Sequence, residues 1–267
     1  MIYDLSMFFN ENDMFELRYR ILRGVVDKFV VVEAAEAFSG QLKGLTFDGF
    51  NRDKDGVTYY ALPQLEPPYT DVASGWQREK TQRDAMLIAA KYAGAGPDDV
   101  LFCSDVDEIM RPEMVADMAA STSTGHKRLN LDFFYYDVTS YLGLWPHGTT
   151  VGTLAQYEEI GGTHAMRSWP HHRYGDRMIQ NAGWHFSYFG GMTAIRKKVE
   201  CFSHAKDDFC QAFLKRSDAE AQADIDRRVD IYRTRGLNQF ETRSSDDGRL
   251  PAAFRADKER FSKFWRR

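Results

Sequence analysis

The first 33 residues alternate between a strand pattern and a helix pattern, and this alternation limits the folds that are open to the chain. Residues 2–9 form a short, mostly apolar run, and apolar side chains at helical spacing follow within residues 14–22. The next run, residues 28–33, is rich in valine, as in strands that are covered on both faces. Strand, helix and strand in this order predict a parallel β-α-β unit and therefore an α/β fold.

The same alternation continues to about residue 125. Residues 57–62 predict a third strand, residues 75–92 a helix, and residues 100–103 a compact buried strand. A chain of 267 residues is long enough for one large α/β domain or for two small ones. Because the sequence shows neither an internal repeat nor a low-complexity linker, we expect one.

The second half of the chain has a different pattern. Residues 128–160 contain many aromatic side chains that alternate with polar ones, which favours antiparallel strands. Residues 217–235 and 251–267 predict helices. The expected sheet is therefore mixed and flanked by helices.

Charge, hydropathy and cysteine usage exclude several classes of protein. The formal charge of −4 offers no positive field for a nucleic acid, and no run approaches the roughly 18 apolar residues of a membrane-spanning helix. Cys103, Cys201 and Cys210 lack the spacing of a zinc site, and their odd number does not suggest a disulfide framework. A reducing cytoplasm is the expected location.

The sharpest functional feature follows the buried strand at residues 100–103. Asp105 and Asp107 lie at the carboxyl end of this strand, where ligands bind in open α/β sheets. Two neighbouring carboxylates are costly unless a cation neutralises them, and Mn²⁺ or Mg²⁺ prefers oxygen ligands and retains positions for a substrate phosphate. The pair predicts a metal site for a nucleotide diphosphate, with an N-cap or a solvated turn as the alternative. Glu108 either orients a ligand or caps the next helix.

An aromatic and polar stretch in the second half supplies further candidates. Residues 181–189, which include Trp184, suit packing beside a sugar or a base, or else form a core turn. A neutral imidazole from His185 or His204 would complete a metal site begun by Asp107. An ordinary structural histidine is the alternative for each.

Charged side chains near other strand ends are candidates for donor binding. Arg78 and Arg83 lie on the predicted helix before the acidic strand, from which they would reach a diphosphate. Helix-surface ion pairs are the alternative. Glu11 and Arg18 follow the first strand, and they either reach the donor or form surface ion pairs. Glu33 ends the second strand, where a nucleoside would sit.

At these positions the sequence resembles glycosyltransferase family 17, whose animal members include the β-1,4-mannosyl-glycoprotein β-1,4-N-acetylglucosaminyltransferase that adds bisecting GlcNAc. The likeness extends over almost the whole chain, and its ordered set of motifs is more specific than an Asp-x-Asp pair alone. The motifs are Phe8-Phe9-Asn10-Glu11 with Glu16 and Arg18, residues 25–33 followed by Phe38-Ser39-Gly40, Arg78-Glu79 with Arg83, residues 104–109, residues 183–187, Phe202-Ser203-His204, and Leu250-Pro251.

The resemblance implies a GT-A type fold with a Rossmann-type mixed sheet. Residues 1–267 would form a single glycosyltransferase domain, with a nucleotide-sugar-binding half at 1–125 and an acceptor half with C-terminal helices at 126–267. The implied reaction is the metal-dependent, inverting transfer of a sugar from a UDP-sugar to a hydroxyl group of a glycan or glycolipid. GlcNAc is the expected sugar.

The resemblance also implies roles for individual residues. Asp107 would bind Mn²⁺ or Mg²⁺ directly, and Asp105 would share the metal or contact the ribose. His185 is preferred to His204 as the third ligand. With Glu108, the two aspartates are the predicted catalytic residues. The predicted nucleotide-sugar-binding residues are Glu11, Glu33, Arg78, Arg83, Asp105 and Trp184.

Inversion further requires a carboxylate base that accepts the proton of the acceptor hydroxyl. The sequence does not place this base; the candidates are Glu158, Glu159, Asp132 and Asp176. Because the chain lacks the membrane anchor, stem and cysteines of the animal enzymes, we expect a microbial or viral cytoplasmic relative. Its acceptor would be a glycan, a polysaccharide or a lipid-linked precursor.

Two other functions compete with this interpretation. Residues 100–107 also resemble the strand and Asp-x-Asp motif of haloacid-dehalogenase-like phosphatases, in which the first aspartate is the nucleophile. However, that motif normally lies near the start of the chain. The second alternative is a non-catalytic module that binds a nucleotide sugar without turnover.

Overall fold

Two mixed sheets organise the residues that the computed structural model describes, which are 1–48, 56–170, 177–233, 240–244 and 248–265. Their strands are β1 Ile2–Phe8, β2 Lys28–Ala34, β3 Val57–Leu62, β4 Val100–Asp105, β5 Glu108–Met110, β6 Lys127–Leu129, β7 Leu131–Tyr135, β8 Ser140–Trp145, β9 Thr150–Thr153, β10 Met178–Ile179, β11 Gly183–Ser187 and β12 Glu241–Thr242. The seven-stranded sheet has the order β10-β6-β9-β4-β1-β2-β3, and the five-stranded sheet has the order β12-β8-β7-β11-β5.

Helices flank these sheets. They are α1 Asn12–Leu22, α2 Val72–Tyr92, α3 Val115–Ser121, α4 Leu154–Ile160, α5 Thr163–Arg167, α6 Met192–Cys201, α7 Asp208–Leu214, α8 Asp218–Asp226 and α9 Ala252–Ala256. Helix α2 begins at a capping box in which the Asp71 side chain accepts from the Ser74 main-chain N–H and the Ser74 side chain accepts from the Asp71 main-chain N–H. These bonds satisfy groups that the first helical turn leaves unpaired.

The central strands of the larger sheet are buried on both faces. Strands β1, β2 and β4 are parallel neighbours. In β2, Val31 packs into a core with α1 and α3, whereas Val30 and Val32 pack into a second core with α2, α4 and α5. Burial on both faces explains why this strand is an almost continuous apolar run. The expected α/β class, with a mixed sheet flanked by helices, is confirmed.

Some predicted elements differ from the structure. Strands β7 and β8 are antiparallel as expected, but β9 pairs with β4 and joins the larger sheet, and the chain then forms α4. The helix predicted over residues 217–235 ends at Asp226, because Arg228 has a φ of 55°, which a right-handed helix does not allow. In the described part of 251–267, the predicted helix is divided into α9 and a 3-10 turn.

Each of the two sheets contains strands from both sides of residue 125. Strands β6, β9 and β10 lie in the same sheet as β1 to β4, and β5 lies in the sheet of β7, β8 and β11. The division into halves at 1–125 and 126–267 stays a prediction. Among the described residues, no helix has the length and apolar character needed to cross a membrane.

Candidate active site

A cleft of about 430 Å³ opens at the carboxyl ends of the parallel strands. Strands β1 and β4 place Met7 opposite Asp105, so the segments that follow both strands enter the cleft from the same edge. Strands β7 and β11 of the smaller sheet contribute the other wall, and α6 contributes Lys198. The predicted site residues on its wall are Glu11, Arg83, Asp105, Asp107, His185 and His204. The cleft is therefore at the sheet edge that the sequence indicated.

Asp105 is neutralised by two arginines. Its Oδ1 accepts a hydrogen bond of 2.9 Å from Arg83, and its Oδ2 accepts one of 2.9 Å from Arg167. Although burial opposes ionisation, the charges of Arg167 and Arg83 hold the pKa of Asp105 well below its usual range. Arg83 also forms the expected helix pair with Glu79, at 3.0 Å, and its contact with a diphosphate stays a prediction.

Glu108 lies fully buried behind Asp105. Its two oxygens accept hydrogen bonds from Arg167 at 3.1 and 3.2 Å, and Oε1 also accepts one from the Trp145 indole at 2.9 Å. The Asp105 main-chain N–H donates to Oε2 at 3.2 Å. Glu108 therefore holds Arg167 and the Asp105 backbone in place.

Asp107 has a histidine and a lysine beside it. Lys198 Nζ donates to Asp107 Oδ2 at 2.9 Å, and His185 Nε2 lies 3.7 Å from Asp107 Oδ1. His185 reaches this position because β11 pairs with β5 and places His185 opposite Glu108, one residue after Asp107. Residues that are 78 positions apart in sequence thus meet through strand pairing.

His185 is held as a neutral imidazole. Its ring stacks on Phe133 at a centroid distance of 4.7 Å and an interplanar angle of 7°, and Trp145 packs beside it. Burial lowers the pKa of His185, against the opposing effect of Asp107. Its Nδ1 is buried and has no hydrogen-bond partner among the described residues. An uncharged, rigidly packed ring of this kind is suited to metal ligation.

The donor set of Asp107 and His185 fits a divalent cation. One carboxylate and one neutral imidazole leave coordination positions for water and substrate phosphate, as Mg²⁺ and Mn²⁺ require. The four predicted ligands do not converge, however: within the described ranges, no group of three or more His, Cys, Asp or Glu side chains is placed to hold a metal. Arg83, Arg167 and Lys198 neutralise the two aspartates instead, and His204 pairs with Asp207.

His204 and Glu11 lie on the cleft wall with other partners. Nδ1 of His204 is 2.6 Å from Asp207 Oδ2, and its ring packs edge-on against Trp76 at a centroid distance of 4.4 Å. Glu11 Oε2 accepts hydrogen bonds from the main-chain N–H groups of Phe9 and Asn10. His204 is thus a wall residue beside an exposed tryptophan, and Glu11 orders the turn after β1.

Three predicted donor-binding residues are engaged elsewhere. Glu33 is fully buried and accepts hydrogen bonds from Lys43, Thr46, Phe47 and Tyr59. Arg78 binds Glu36 at 2.5 Å and three main-chain carbonyls. Trp184 lies in the core under Arg111 and donates to the Arg249 carbonyl. Glu33 and Arg78 therefore tie down loops, and the lining of the cleft does not include these three residues.

The base candidates that the structure describes, Asp132, Glu158 and Glu159, do not line the cleft. Asp132 is buried with Arg111, at 2.6 Å, and Glu158 pairs with Lys91 on the surface. Glu159 is exposed on α4, and Asp176 lies outside the described residues. The acidic residues that do line the cleft are Glu11, Glu36, Glu79, Asp105 and Asp107.

Sequence reasoning missed Arg167 and Lys198. Both lie on helices of the second half, and neither follows a predicted strand end, which was the signal used for the other candidates. Arg18 was noted in the first helix, and the structure places it fully buried under the segment 105–108. The acidic segment needs positive side chains to neutralise it, and this need was the signal that the sequence offered. It does not indicate which arginine or lysine side chains supply the charge.

Solved structures with some similarity include two of glucosyl-3-phosphoglycerate synthase from Mycobacterium tuberculosis. The complex with Mn²⁺, UDP and glucosyl-3-phosphoglycerate is 14% identical, covers 69% of this chain and 70% of that chain, and has a TM-score of 0.38. The complex with Mn²⁺, UDP and phosphoglyceric acid is 14% identical, covers 69% of each chain, and has a TM-score of 0.36. No curated relative matches the sequence.

A sequence profile of glycosyltransferase family 17 matches residues 1–234. This range includes β1 to β4 with the Asp105 and Asp107 segment, the strand that carries His185, and the helix that carries Lys198. The match covers most of the 267 residues, and the resemblance to this family is confirmed. The chain belongs to glycosyltransferase family 17, and it is a glycosyltransferase.

Proposed function

We propose that this glycosyltransferase is a metal-dependent inverting enzyme of GT-A type that transfers GlcNAc from UDP-GlcNAc to a hydroxyl group of a glycan or glycolipid. The observation that carries the proposal is the approach of His185 Nε2 to Asp107 Oδ1, at 3.7 Å, on the wall of a cleft at the carboxyl ends of parallel strands. A neutral imidazole beside a carboxylate forms a donor set for Mn²⁺ or Mg²⁺, which favours a nucleoside diphosphate as the leaving group.

Different residues of the cleft would bind different parts of the donor. Asp107 and His185 would hold the divalent ion, which when bound supplies positive charge against the diphosphate. Arg83 and Arg167 fix Asp105, so its carboxylate stays ionised and oriented at the edge of the cleft. An oriented carboxylate of this kind is suited to accept hydrogen bonds from ribose hydroxyl groups.

The transfer itself is a displacement at the anomeric carbon. The bond between this carbon and the diphosphate oxygen breaks, and the electron pair leaves with UDP. The acceptor oxygen forms the new bond from the opposite face, and its proton passes to a carboxylate base. Positive charge near the departing diphosphate lowers the barrier because it acts where negative charge develops.

The acceptor and the compartment belong to the same proposal. We propose a glycan, a polysaccharide or a lipid-linked precursor as the acceptor. The three cysteines are buried free thiols, which supports a reducing compartment such as the cytoplasm. A phosphatase mechanism receives less support, because Asp105 would be its nucleophile and is held by two arginines.

A thermal-shift screen tests this function. The purified protein is mixed with UDP-GlcNAc, UDP-Glc, UDP-Gal, GDP-Man or a CMP-sugar, each with Mn²⁺ and with EDTA, because a ligand of the native state raises its stability. We expect a shift with a UDP-sugar plus metal, largest for UDP-GlcNAc, and release of UDP when an acceptor glycan is added.

Other outcomes would change the assignment. A shift with UDP-GlcNAc but neither sugar transfer nor donor hydrolysis would indicate a non-catalytic binding module. Hydrolysis of a phosphomonoester without a nucleotide requirement would indicate a phosphatase. A shift that persists in EDTA would contradict the metal dependence.

A further inference from the structure

Lys198 lies where two cavities of the structure meet. The cleft of about 430 Å³ and a smaller cavity of about 110 Å³ share the lining residues Glu11, Asp107, Tyr188 and Lys198. The smaller cavity continues towards Phe264 of the C-terminal 3-10 turn and Phe189 after β11. A side chain at this junction borders both cavities.

The Lys198 ammonium forms an ion pair with Asp107, which is also a proposed metal ligand. Lys198 Nζ donates to Asp107 Oδ2 at 2.9 Å, and 32% of the Lys198 side chain is exposed. The position of Lys198 Nζ, 5.5 Å from the Tyr188 ring centroid, adds a cation–π contact on the cleft wall.

The other cations of the cleft are held more firmly. Arg83 binds both Asp105 and Glu79, and Arg167 binds both Asp105 and Glu108. These guanidinium groups therefore have fixed positions. Lys198 differs because it has a flexible four-carbon stem and a compact charge with rotatable donors, and it contacts a predicted metal ligand directly.

We propose that Lys198 exchanges partners during the reaction: it neutralises Asp107 when the site holds no metal, and it binds the diphosphate of the donor when a divalent ion takes its place on Asp107. This inference rests on the proposed function. The exchange keeps Asp107 paired at every stage, which avoids an uncompensated buried carboxylate. It also delivers a second cation, beside the divalent ion, to the diphosphate when negative charge develops there, so Lys198 would be a catalytic residue.

Binding measurements on two variants test the exchange. Lys198→Met removes the ammonium and retains the length of the chain, and Lys197→Met is the matched control on the same helix, since the cleft lining does not include Lys197. Isothermal titration calorimetry measures the affinity for UDP with Mn²⁺, for uridine, and for Mn²⁺ alone. A thermal melt verifies that each variant is folded, and Lys198→Arg preserves the ion pair if the methionine variant does not fold.

The expected pattern separates diphosphate binding from a purely structural role. Lys198→Met should weaken UDP binding with Mn²⁺ about 10-fold or more, because a charged hydrogen bond to the phosphate is lost. Uridine binding should be unchanged, and Mn²⁺ alone should bind more tightly than in the wild type, because the competing ammonium is gone. Lys197→Met should match the wild type in all three measurements. Lys198→Arg should retain most of the UDP affinity.

Two results would overturn the exchange. Equal losses for UDP and uridine would show that Lys198 does not act on the diphosphate. Weaker binding of Mn²⁺ alone would show that Lys198 supports Asp107 instead of competing with the metal. If the wild type binds no UDP, the proposed donor is wrong, and the same titrations with inorganic pyrophosphate and Mn²⁺ decide the role of Lys198 independently.

Discussion

The guanidinium group of Arg18 donates a hydrogen bond of 2.7 Å to the main-chain carbonyl oxygen of Glu108. It also donates to the Asp105 carbonyl at 3.1 Å and forms a buried ion pair with Asp4 of β1. One side chain from the first helix thus connects the start of the larger sheet to the backbone of the acidic segment. The position of this segment depends on a residue that is itself fully buried.

Replacing Arg18 should destabilise the protein strongly. Arg18→Met leaves Asp4 buried without a counter-charge, which costs about 3–5 kcal/mol of the free energy of unfolding. Arg18→Lys keeps the charge but cannot make the same set of hydrogen bonds, so a smaller loss is expected. Urea denaturation followed by circular dichroism measures both. Arg20→Lys, in a partly exposed pair with Glu16, is the control and should change stability by less than about 1 kcal/mol. Equal effects at the two positions would contradict the proposed anchoring.

Asp107 and Asp105 should respond differently to the same change. Asp107→Asn should weaken Mn²⁺ binding about 10-fold or more, because it removes the carboxylate beside His185. Asp105→Asn should alter Mn²⁺ binding less than about 3-fold, because Asp105 is engaged by Arg83 and Arg167. Calorimetric titration with Mn²⁺ and a thermal melt of each variant provide the comparison. Wild-type Mn²⁺ affinity in Asp107→Asn would refute the assignment of Asp107 as a ligand.

The parts of the fold that were predictable depend on local patterns. Strands β1, β2 and β4 are buried on both faces, so their apolar runs are visible without knowledge of their neighbours. Residues 150–153 lie within the range 128–160 that was expected to form antiparallel strands, but nothing local indicated that β9 would pair with β4 in the larger sheet. Periodicity identifies an element, whereas its partner is determined by tertiary packing.

The site residues likewise divide into those with a local sequence signal and those whose position depends on tertiary packing. The place of Asp105 and Asp107 on the cleft wall was predictable, because Asp105 ends the buried strand β4 and Asp107 follows it. Glu33 also ends a strand, yet the chain folds back over it, and Lys43 and Thr46 occupy its carboxylate. Lys198 has no local signal, since its role arises from the contact with Asp107.

A cluster on α8 should make stability depend on pH in acid. Although burial alone would raise it, hydrogen bonds from three arginines lower the pKa of Asp224 from 3.8 to about 2; these are Arg233, Arg216 and Arg227. A lowered folded-state pKa stabilises the fold above pH 3.8, and this contribution is lost as the pH falls towards 2. The shift corresponds to about 2 kcal/mol.

The variant Asp224→Asn tests this dependence. Urea unfolding at several pH values should show the variant less stable than the wild type by about 2 kcal/mol or more at pH 7, with the difference shrinking towards pH 2. Asp218→Asn is the control, because its carboxylate is 74% exposed and pairs with Arg196 on the surface. A stability difference for Asp224→Asn that is constant with pH would show that ionisation of Asp224 is not the cause.

Gly183 should control the distance between the two proposed metal ligands. A Cβ atom at this position would lie 2.2 Å from the Ile109 carbonyl oxygen and 2.9 Å from the Met110 Cα. Both contacts are with backbone, so β11 must move away from β5, and His185 moves with it. Gly183→Ala should therefore cost about 1–3 kcal/mol of stability and also weaken Mn²⁺ binding.

The matched control is Gly24→Ala, because an added Cβ at Gly24 meets no heavy atom within 4 Å. It should leave the free energy of unfolding within about 1 kcal/mol of the wild type and leave Mn²⁺ binding unchanged. Urea denaturation and calorimetric titration with Mn²⁺ are applied to both variants. If Gly183→Ala is destabilised but retains full Mn²⁺ affinity, then pairing of β11 with β5 does not position His185 for the metal, and the ligand beside Asp107 must be sought elsewhere on the cleft wall.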